Sequence, residues 1–469
     1  MSLLSFITHQ SDADAIGFPG DMDTEPTRCG NVGNSMLYSY KDIVLPPPTT
    51  AHGTYFNGTN DDVENLDEYQ EGGYHPIHIN DFLDCERRYR VLHKLGHGGF
   101  STIWLCRDHY LNKYVAVKVL TAEFGPDEVA EITILRHLDQ NHPGARYIAS
   151  PLDHFATRGP NGTHQCIVLP LLGQSCSPDL WLHLDDPAPV LRKLCSQVVQ
   201  AMDCLHKSGI GHGDFRPANI LIKLKDVDLL EEDELLSLLS APEPGGVFAS
   251  DGKELPPCSP RCLIPAADLS RLTARCLTEE ICLIDFGESF LAASPPPDLG
   301  TPEGYLPPEM LIDDRNDPVG LTCDIWALGC TLIEIRLQMP LFYMLYGPDE
   351  VLNEMVSFFG KFPQHWWARW KQRQDFRDED GKLFQRRVDV DGEPYNIDSI
   401  LRGNRQVMTT VDGVLQVVKT MQFPPEEMLD LKDLLVRVCA YAPENRPSAS
   451  QILRHRWLND GPAGKIFAL

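Results

Sequence analysis

Apolar positions along this chain begin to recur in ordered runs only near Tyr89. Residues 1–73 show no sustained period. They carry Pro46-Pro47-Pro48, several Gly and Asn, and an acidic cluster of Asp61, Asp62, Glu64, Asp67 and Glu68. That composition predicts a flexible acidic leader, because it holds too little apolar surface to offset the entropy of ordering. From Tyr89 to Leu172, β-branched and aromatic runs broken by turn residues predict a strand-rich unit. Within it Tyr114-Val115-Ala116-Val117-Lys118-Val119-Leu120 alternates, with Ala116 and Lys118 on one face and the valines on the other. The rest reads as mainly helical, with one interruption. Residues 223–279 are acidic, then rich in Pro, Gly and Ser, and read as an insertion. The acidic stretch from Asp228 to Glu234 reads as a solvated helix face. No internal repeat is visible.

Two apolar runs, 90–95 and 102–106, flank Leu95-Gly96-His97-Gly98-Gly99-Phe100-Ser101-Thr102-Ile103-Trp104. This predicts a hairpin with a glycine-rich tip. Glycines let backbone approach a phosphate and offer it N–H groups. The same sequence also serves as a plain structural turn, and no helix opens after it, so it is not a dinucleotide fingerprint. Lys118 on a buried strand is costly unless paired. Pro126-Asp127-Glu128 predicts a helix start, with Val129, Ile132 and Leu135 as the buried face and Glu131 beside them. Alone, Glu131 reads as a solvated helix acid; with Lys118 an ion pair is expected.

His212-Gly213-Asp214-Phe215-Arg216-Pro217-Ala218-Asn219-Ile220-Leu221 resembles the kinase catalytic loop in the spacing of His, Asp and Asn. Ile281-Cys282-Leu283-Ile284-Asp285-Phe286-Gly287 resembles the metal-binding segment that follows it. Small-molecule kinases also carry His-Gly-Asp followed by Asn. The downstream sequence separates the two groups. Pro307-Pro308-Glu309, Asp324-Ile325-Trp326-Ala327-Leu328-Gly329, Asn445-Arg446-Pro447 and His455-Arg456-Trp457-Leu458 resemble protein-kinase elements. Gly73-Tyr74-His75, Arg88-Tyr89, Phe100-Ser101-Thr102-Ile103-Trp104 and Asp285-Phe286-Gly287-Glu288-Ser289 are similar to the serine/arginine-rich protein-specific kinases, the SRPK family of the CMGC group. Residues 354–384 resemble the CMGC insert, whose expected extent is near 348–406.

The resemblance implies an α+β, bilobal protein-kinase fold: a small β-rich N-lobe over 74–172 and a larger helical C-lobe over 173–469. It implies ATP and Mg2+ as cofactors and phosphoryl transfer to Ser or Thr of protein substrates, with basic or Arg/Ser-rich sequences in view. Asp214 would accept the hydroxyl proton. Lys118, held by Glu131, and Arg216 would meet the phosphates, and Asn219 and Asp285 would bind metal. Leu95, Gly96, Gly98, Ser101, Ile103, Ala116, Lys118, Pro170 and Leu172 would line the ATP site. Glu309, Asp324 and Arg446 would be structural. The rival readings are a pseudokinase scaffold, against which the full set Lys118, Glu131, Asp214, Asn219 and Asp285 argues, and a small-molecule kinase.

Four features depart from the usual pattern. Arg216 stands where a Lys is usual, and its planar fork is not a point charge. Pro170 replaces the acid usual at the hinge, where backbone groups read adenine. The segment Gly300-Thr301-Pro302-Glu303-Gly304-Tyr305 lacks the arginine common in CMGC kinases. Gly213 replaces the Arg that usually receives an activation-loop phosphate, and the loop from Gly287 to Glu309 is short and proline-rich. Activity without loop phosphorylation is therefore expected.

Charge narrows the partners. Lys plus Arg is 41 against 67 Asp plus Glu, a formal charge of −26. Nucleic-acid binding needs clustered positive charge, so that class is excluded. A basic substrate is compatible with this charge, although solubility alone also accounts for it. The 14 cysteines include no C-x-x-C pair, which predicts reduced thiols and an intracellular protein, expected in the cytoplasm or nucleus; a monomer is expected as well. The N-terminus makes a poor signal peptide, and no apolar run reaches membrane-spanning length. Trp366, Trp367 and Trp370, like Cys330 and Cys439, read as packing residues.

Overall fold

The computed structural model describes residues 63–459, apart from 124–128, 240, 243, 249–253, 313–317, 344, 346, 385–394, 403, 404, 412, 413 and 422. The first strands form where β-branched residues alternate. Strands β1 (Tyr89–Gly98), β2 (Ser101–Asp108) and β3 (Lys113–Leu120) are followed by a short helix, α1 (Ala130–Leu135), then β4 (Asp153–Gly159) and β5 (Gly162–Pro170). They make one antiparallel sheet in the order β1-β2-β3-β5-β4. As expected from the period of two, Val115, Val117 and Val119 enter the sheet core with Val91, Trp104, Cys106 and Val168. Ala116 and Lys118 sit on the opposite face. The expected helix start at Pro126-Asp127-Glu128 lies outside the described residues.

The chain then crosses through β6 (Leu172–Ser175) into a helical lobe. Helix α2 (Pro187–Lys207) starts with Pro at its first position and ends on His206 and Lys207, both favourable to the helix dipole. Its Leu191, Leu194, Cys195, Val198, Met202 and Leu205 repeat at three- and four-residue spacing and are buried. Two short strands follow, β7 (Ile210–Gly211) and β8 (Ile220–Leu224).

The insertion comes next and is structured. It holds α3 (Glu232–Leu239), the pair β9 (Gly245–Gly246) and β10 (Cys262–Leu263), and α4 (Ser270–Cys276), before β11 (Leu277–Leu283) returns beside β8. Two expectations need correcting here. Asp228 to Glu234 is a solvated face only in part: Glu231, Asp233 and Glu234 are exposed, but Asp228 accepts the Tyr114 N–H at 2.8 Å, and Glu232 pairs with Arg90 at 2.5 Å. Nor does the flexible leader extend to residue 73. Glu64 is buried against the Lys94 ammonium, and Val63 and Tyr69 pack with Tyr74, Val247 and Leu263. The acids of this stretch looked solvated because their partners lie far away in sequence.

Beyond β12 (Phe290–Leu291) and α5 (Pro308–Leu311) runs α6 (Leu321–Leu337), the centre of the helical lobe. Every residue from Cys323 to Leu337 is buried. A Cβ on Gly329 would lie 2.7 Å from Cys439 Sγ, so only glycine permits this approach to the helix Pro425–Val438. Trp366, Trp367, Trp370, Cys330 and Cys439 are all buried, as packing residues should be.

Candidate active site

The cleft between the lobes gathers side chains that are remote in sequence. Strand β3 delivers Lys118, whose ammonium donates to Glu131 Oε2 at 2.8 Å and to Asp285 Oδ1 at 2.7 Å. Glu131, from α1, also accepts the Phe286 N–H at 3.4 Å. Burial alone would lower the Lys118 pKa; Glu131 and Asp285 outweigh it and hold it above the ordinary value. Partial burial would raise the Asp285 carboxyl, but Lys118 keeps it below the usual range. The expected pair of Lys118 with Glu131 is therefore present, and Asp285 joins it. Asp285 has φ of 64°, uncommon for a residue with a side chain and frequent at functional sites.

Asp214 sits on the loop after β7. Its carboxylate accepts from Arg216 Nε at 3.1 Å and from Asn219 Nδ2 at 2.8 Å. The Asn219 amide also donates to the Asp214 carbonyl at 2.8 Å, and the Asn219 carbonyl accepts the Ile284 N–H. This use of the amide nitrogen leaves the amide oxygen as the group Asn219 can offer a cation. His212 accepts the Asp214 N–H through Nδ1 and donates through Nε2 to the Ile284 carbonyl, which joins the two loops. One amide oxygen and one carboxylate suit a hard cation completed by phosphate oxygens and water, which is how magnesium is usually held. Among the described residues no cluster of three His, Cys, Asp or Glu forms a self-sufficient metal cage.

The remaining expected residues lie on the sheet that carries Lys118 and at the start of β6. Ile103 pairs with both Gly96 and Lys118 across the sheet, and Ser101 with Gly98. Ala116 lies opposite Leu105 and Leu169. Pro170 ends β5 beside Val115, and Leu172 opens β6. A Cβ at Gly96 or Gly98 would meet nothing within 4 Å, so the protein itself does not demand glycine there. Leu95 packs at the edge of a cluster with Leu92, Leu105 and Leu272.

A family comparison matches residues 89–231 and 276–458 to the protein kinase domain. The chain belongs to the protein kinase family. The gap in the match, residues 232–275, lies within the insertion. The kinase is 37% identical over 187 residues to protein kinase dsk1 of Schizosaccharomyces pombe, covering 38% of this chain and 34% of that one. It is 26% identical over 415 residues to the serine/threonine-protein kinase SRPK of Physarum polycephalum, covering 85% of this chain and 92% of that one. SRSF protein kinase 3 of Homo sapiens is 34% identical over 194 residues, 39% of this chain and 33% of that one. The matches to dsk1 and to the human protein thus span only about a third of those relatives. A solved crystal structure of a kinase domain superposes with a TM-score of 0.51 at 19% identity, over 81% of this chain and 98% of that one. That likeness concerns the fold alone.

Two further groups frame the site of this kinase. Asp324, named from sequence as structural, accepts the N–H of His212 at 2.7 Å, the N–H of Gly213 at 3.1 Å and His206 Nε2 at 3.2 Å. Burial would raise its pKa, yet these donors hold it low. It therefore fixes the backbone on which Asp214 rides. Arg446 forks onto Glu309 at 2.6 and 2.7 Å, fully buried, and anchors the end of the activation segment to the helical lobe. Sequence reasoning missed the contact of Tyr305, which donates to the buried Glu334 of α6, and expected Thr301 at a substrate contact, whereas its hydroxyl is buried and donates to the Gly213 carbonyl. No sequence period signals either contact, because each joins a loop to a distant element.

Proposed function

We propose that this protein kinase transfers the γ-phosphate of MgATP to Ser or Thr hydroxyls of protein substrates. The observation that carries this reading is the convergence of Lys118, Glu131, Asp214, Asn219 and Asp285 on one cleft, each held by a partner. A pseudokinase scaffold would have no need of that complete set. Asp214 orients and deprotonates the attacking hydroxyl. Lys118 would meet the α- and β-phosphates, and Arg216, paired with Asp214, would offer its charge to the transferred group. Asn219 and Asp285 would hold Mg2+, whose contribution is neutralisation of phosphate charge. Adenine would lie against Leu95, Ile103 and Ala116, with backbone groups of Pro170 and Leu172 beside it. Gly96, Gly98 and Ser101 would face the phosphates.

A net charge of −26 and the SRPK-named relatives favour substrate sites flanked by Arg or Lys. We place the kinase in the cytoplasm or nucleus; no helix among the described residues is long and apolar enough to cross a membrane. The proposed catalytic unit consists of an N-lobe over 74–172, with 63–73 packed onto it, and a C-lobe from 173, carrying the insertion at 223–279 and the CMGC insert near 348–406. The test is transfer of radiolabelled phosphate from ATP to a peptide array at rising salt. Label on Ser and Thr flanked by basic residues, fading with salt, is expected. A preference for acidic flanks would remove the substrate reading, and no transfer to any peptide would remove the kinase reading.

A further inference from the structure

The glycine-rich loop is held at its tip by a residue outside the two strands that form it. Tyr74 is 4% exposed, and its ring packs with Val63, Tyr69, Val247 and Leu263. Its hydroxyl reaches the carbonyl oxygens of Gly98 at 2.7 Å and Gly99 at 3.2 Å. The backbone around Tyr74 is fixed in turn. The Gly72 and Gly73 carbonyls accept the N–H groups of Glu123 and Ala122 just beyond β3, at 2.8 and 3.1 Å. Asn161 Nδ2 donates to the Tyr74 carbonyl at 2.6 Å. The loop tip thus hangs from a segment tied to the rest of the sheet.

We propose that Tyr74 is a positioning residue for the nucleotide phosphates, acting through the glycine-rich loop. A trans peptide points its C=O and the following N–H in opposite directions. Drawing the Gly98 carbonyl onto Tyr74 turns the Gly99 N–H to the opposite side. Gly98 and Gly99 have no side chains to fix that orientation themselves, and their backbone is the most permissive in the chain. Tyr74 supplies from outside the order that glycine gives up. The proposal rests on the kinase reading, and its test keeps the two apart.

The experiment compares wild type, Tyr74→Phe and Tyr69→Phe as full chains. Hydrogen exchange is followed over residues 96–101, and kcat and the KM for ATP are measured. Tyr74→Phe keeps the ring and removes the tether. A net hydrogen bond of ordinary strength corresponds to about a three- to tenfold effect. The ATP KM is expected to rise by that factor with kcat nearly unchanged, while the loop exchanges faster. Tyr69→Phe removes a neighbouring buried hydroxyl that does not touch the loop, so it should lower the melting temperature and leave loop exchange and ATP KM as in wild type. Unchanged exchange in Tyr74→Phe, faster exchange with an unchanged KM, or equal changes in both variants would each overturn the proposal. Failure of the kinase reading would appear separately, as a wild-type chain that neither binds MgATP nor turns over, and it would take the proposal with it.

Discussion

Asp214 lies between two donors, the Arg216 guanidinium and the Asn219 amide, so its carboxylate is already oriented for the role proposed for it. An amide in its place accepts no proton. Asp214→Asn is therefore expected to cut peptide turnover by at least roughly a hundredfold while MgATP affinity in calorimetry stays near wild type. A variant that phosphorylates peptides at the wild-type rate would remove the base assignment. A second residue-scale effect concerns stability. Burial pushes His75 from its ordinary 6.5 down to about 4, against the His164 ring at 4.7 Å. The unfolded chain then takes up this proton first. Stability is intact above about pH 6.5 and is lost as pH falls toward about 4, by on the order of 3 kcal/mol at the low end. His164 is lowered in the same direction. Urea unfolding at pH 7 and near pH 4 should show this loss in wild type and a smaller one in His75→Gln. Identical acid losses in the two chains would exclude His75 as the cause.

At the scale of elements, the activation segment is held at both ends without a phosphate. Strand β12 pairs with β7, the Ser289 hydroxyl donates to the His212 carbonyl at 2.9 Å, and the Ala292 N–H reaches the Gly209 carbonyl. Further on, Thr301 is buried on the Gly213 carbonyl. Gly213 has φ of 80°, and a Cβ there would overlap the Glu288 carbonyl oxygen. The positive φ and this close approach disfavour any side chain at the position, arginine included. Enzyme made in bacteria and treated with phosphatase, with residues 287–309 verified as unmodified by mass spectrometry, should keep full activity. Collapse on dephosphorylation, with recovery on phosphorylating Ser294 or Thr301, would sink this expectation. Gly213→Ala should lower turnover under the same conditions.

These elements also mark what could be read from sequence. The alternation of β3 was legible because it depends on local spacing, whereas the loop carrying Asp214 and Asn219 and the structural roles of Glu309 and Arg446 were reached through the resemblance to protein kinases. Glu64 and Asp228 were not legible. An acid in an acidic, turn-rich stretch looks solvated until the fold brings Lys94 or the Tyr114 N–H to it. Gly213 was legible as a departure but not as a requirement, since φ and close approach belong to the folded backbone.

At the scale of the whole molecule, the insertion leaves the helical lobe at β8, crosses to the sheet and returns at β11. Leu230, Leu235, Leu239 and Leu272 pack on Leu92, Leu105, Tyr114 and Leu171. On another face Cys262 and Ile264 join Ile77, Ile79 and Val91. The Ala267 N–H donates to the Lys94 carbonyl at 2.9 Å, and Asn161 Nδ2 to the Cys258 carbonyl at 3.0 Å. This arrangement sets an order of synthesis. A ribosome releases the sheet long before residues 230–272, so the nascent N-terminal part waits with two apolar faces uncovered. Contacts across more than a hundred positions must close before it is complete, and such closures are slow. A fragment spanning 63–175 should accordingly lack protected amides in β1–β3 by hydrogen exchange, and adding a peptide of residues 225–276 should restore some of them. If the fragment alone were protected as in the full chain, the sheet would be an autonomous unit. Otherwise the first half of this kinase becomes native only after the second half has begun to appear.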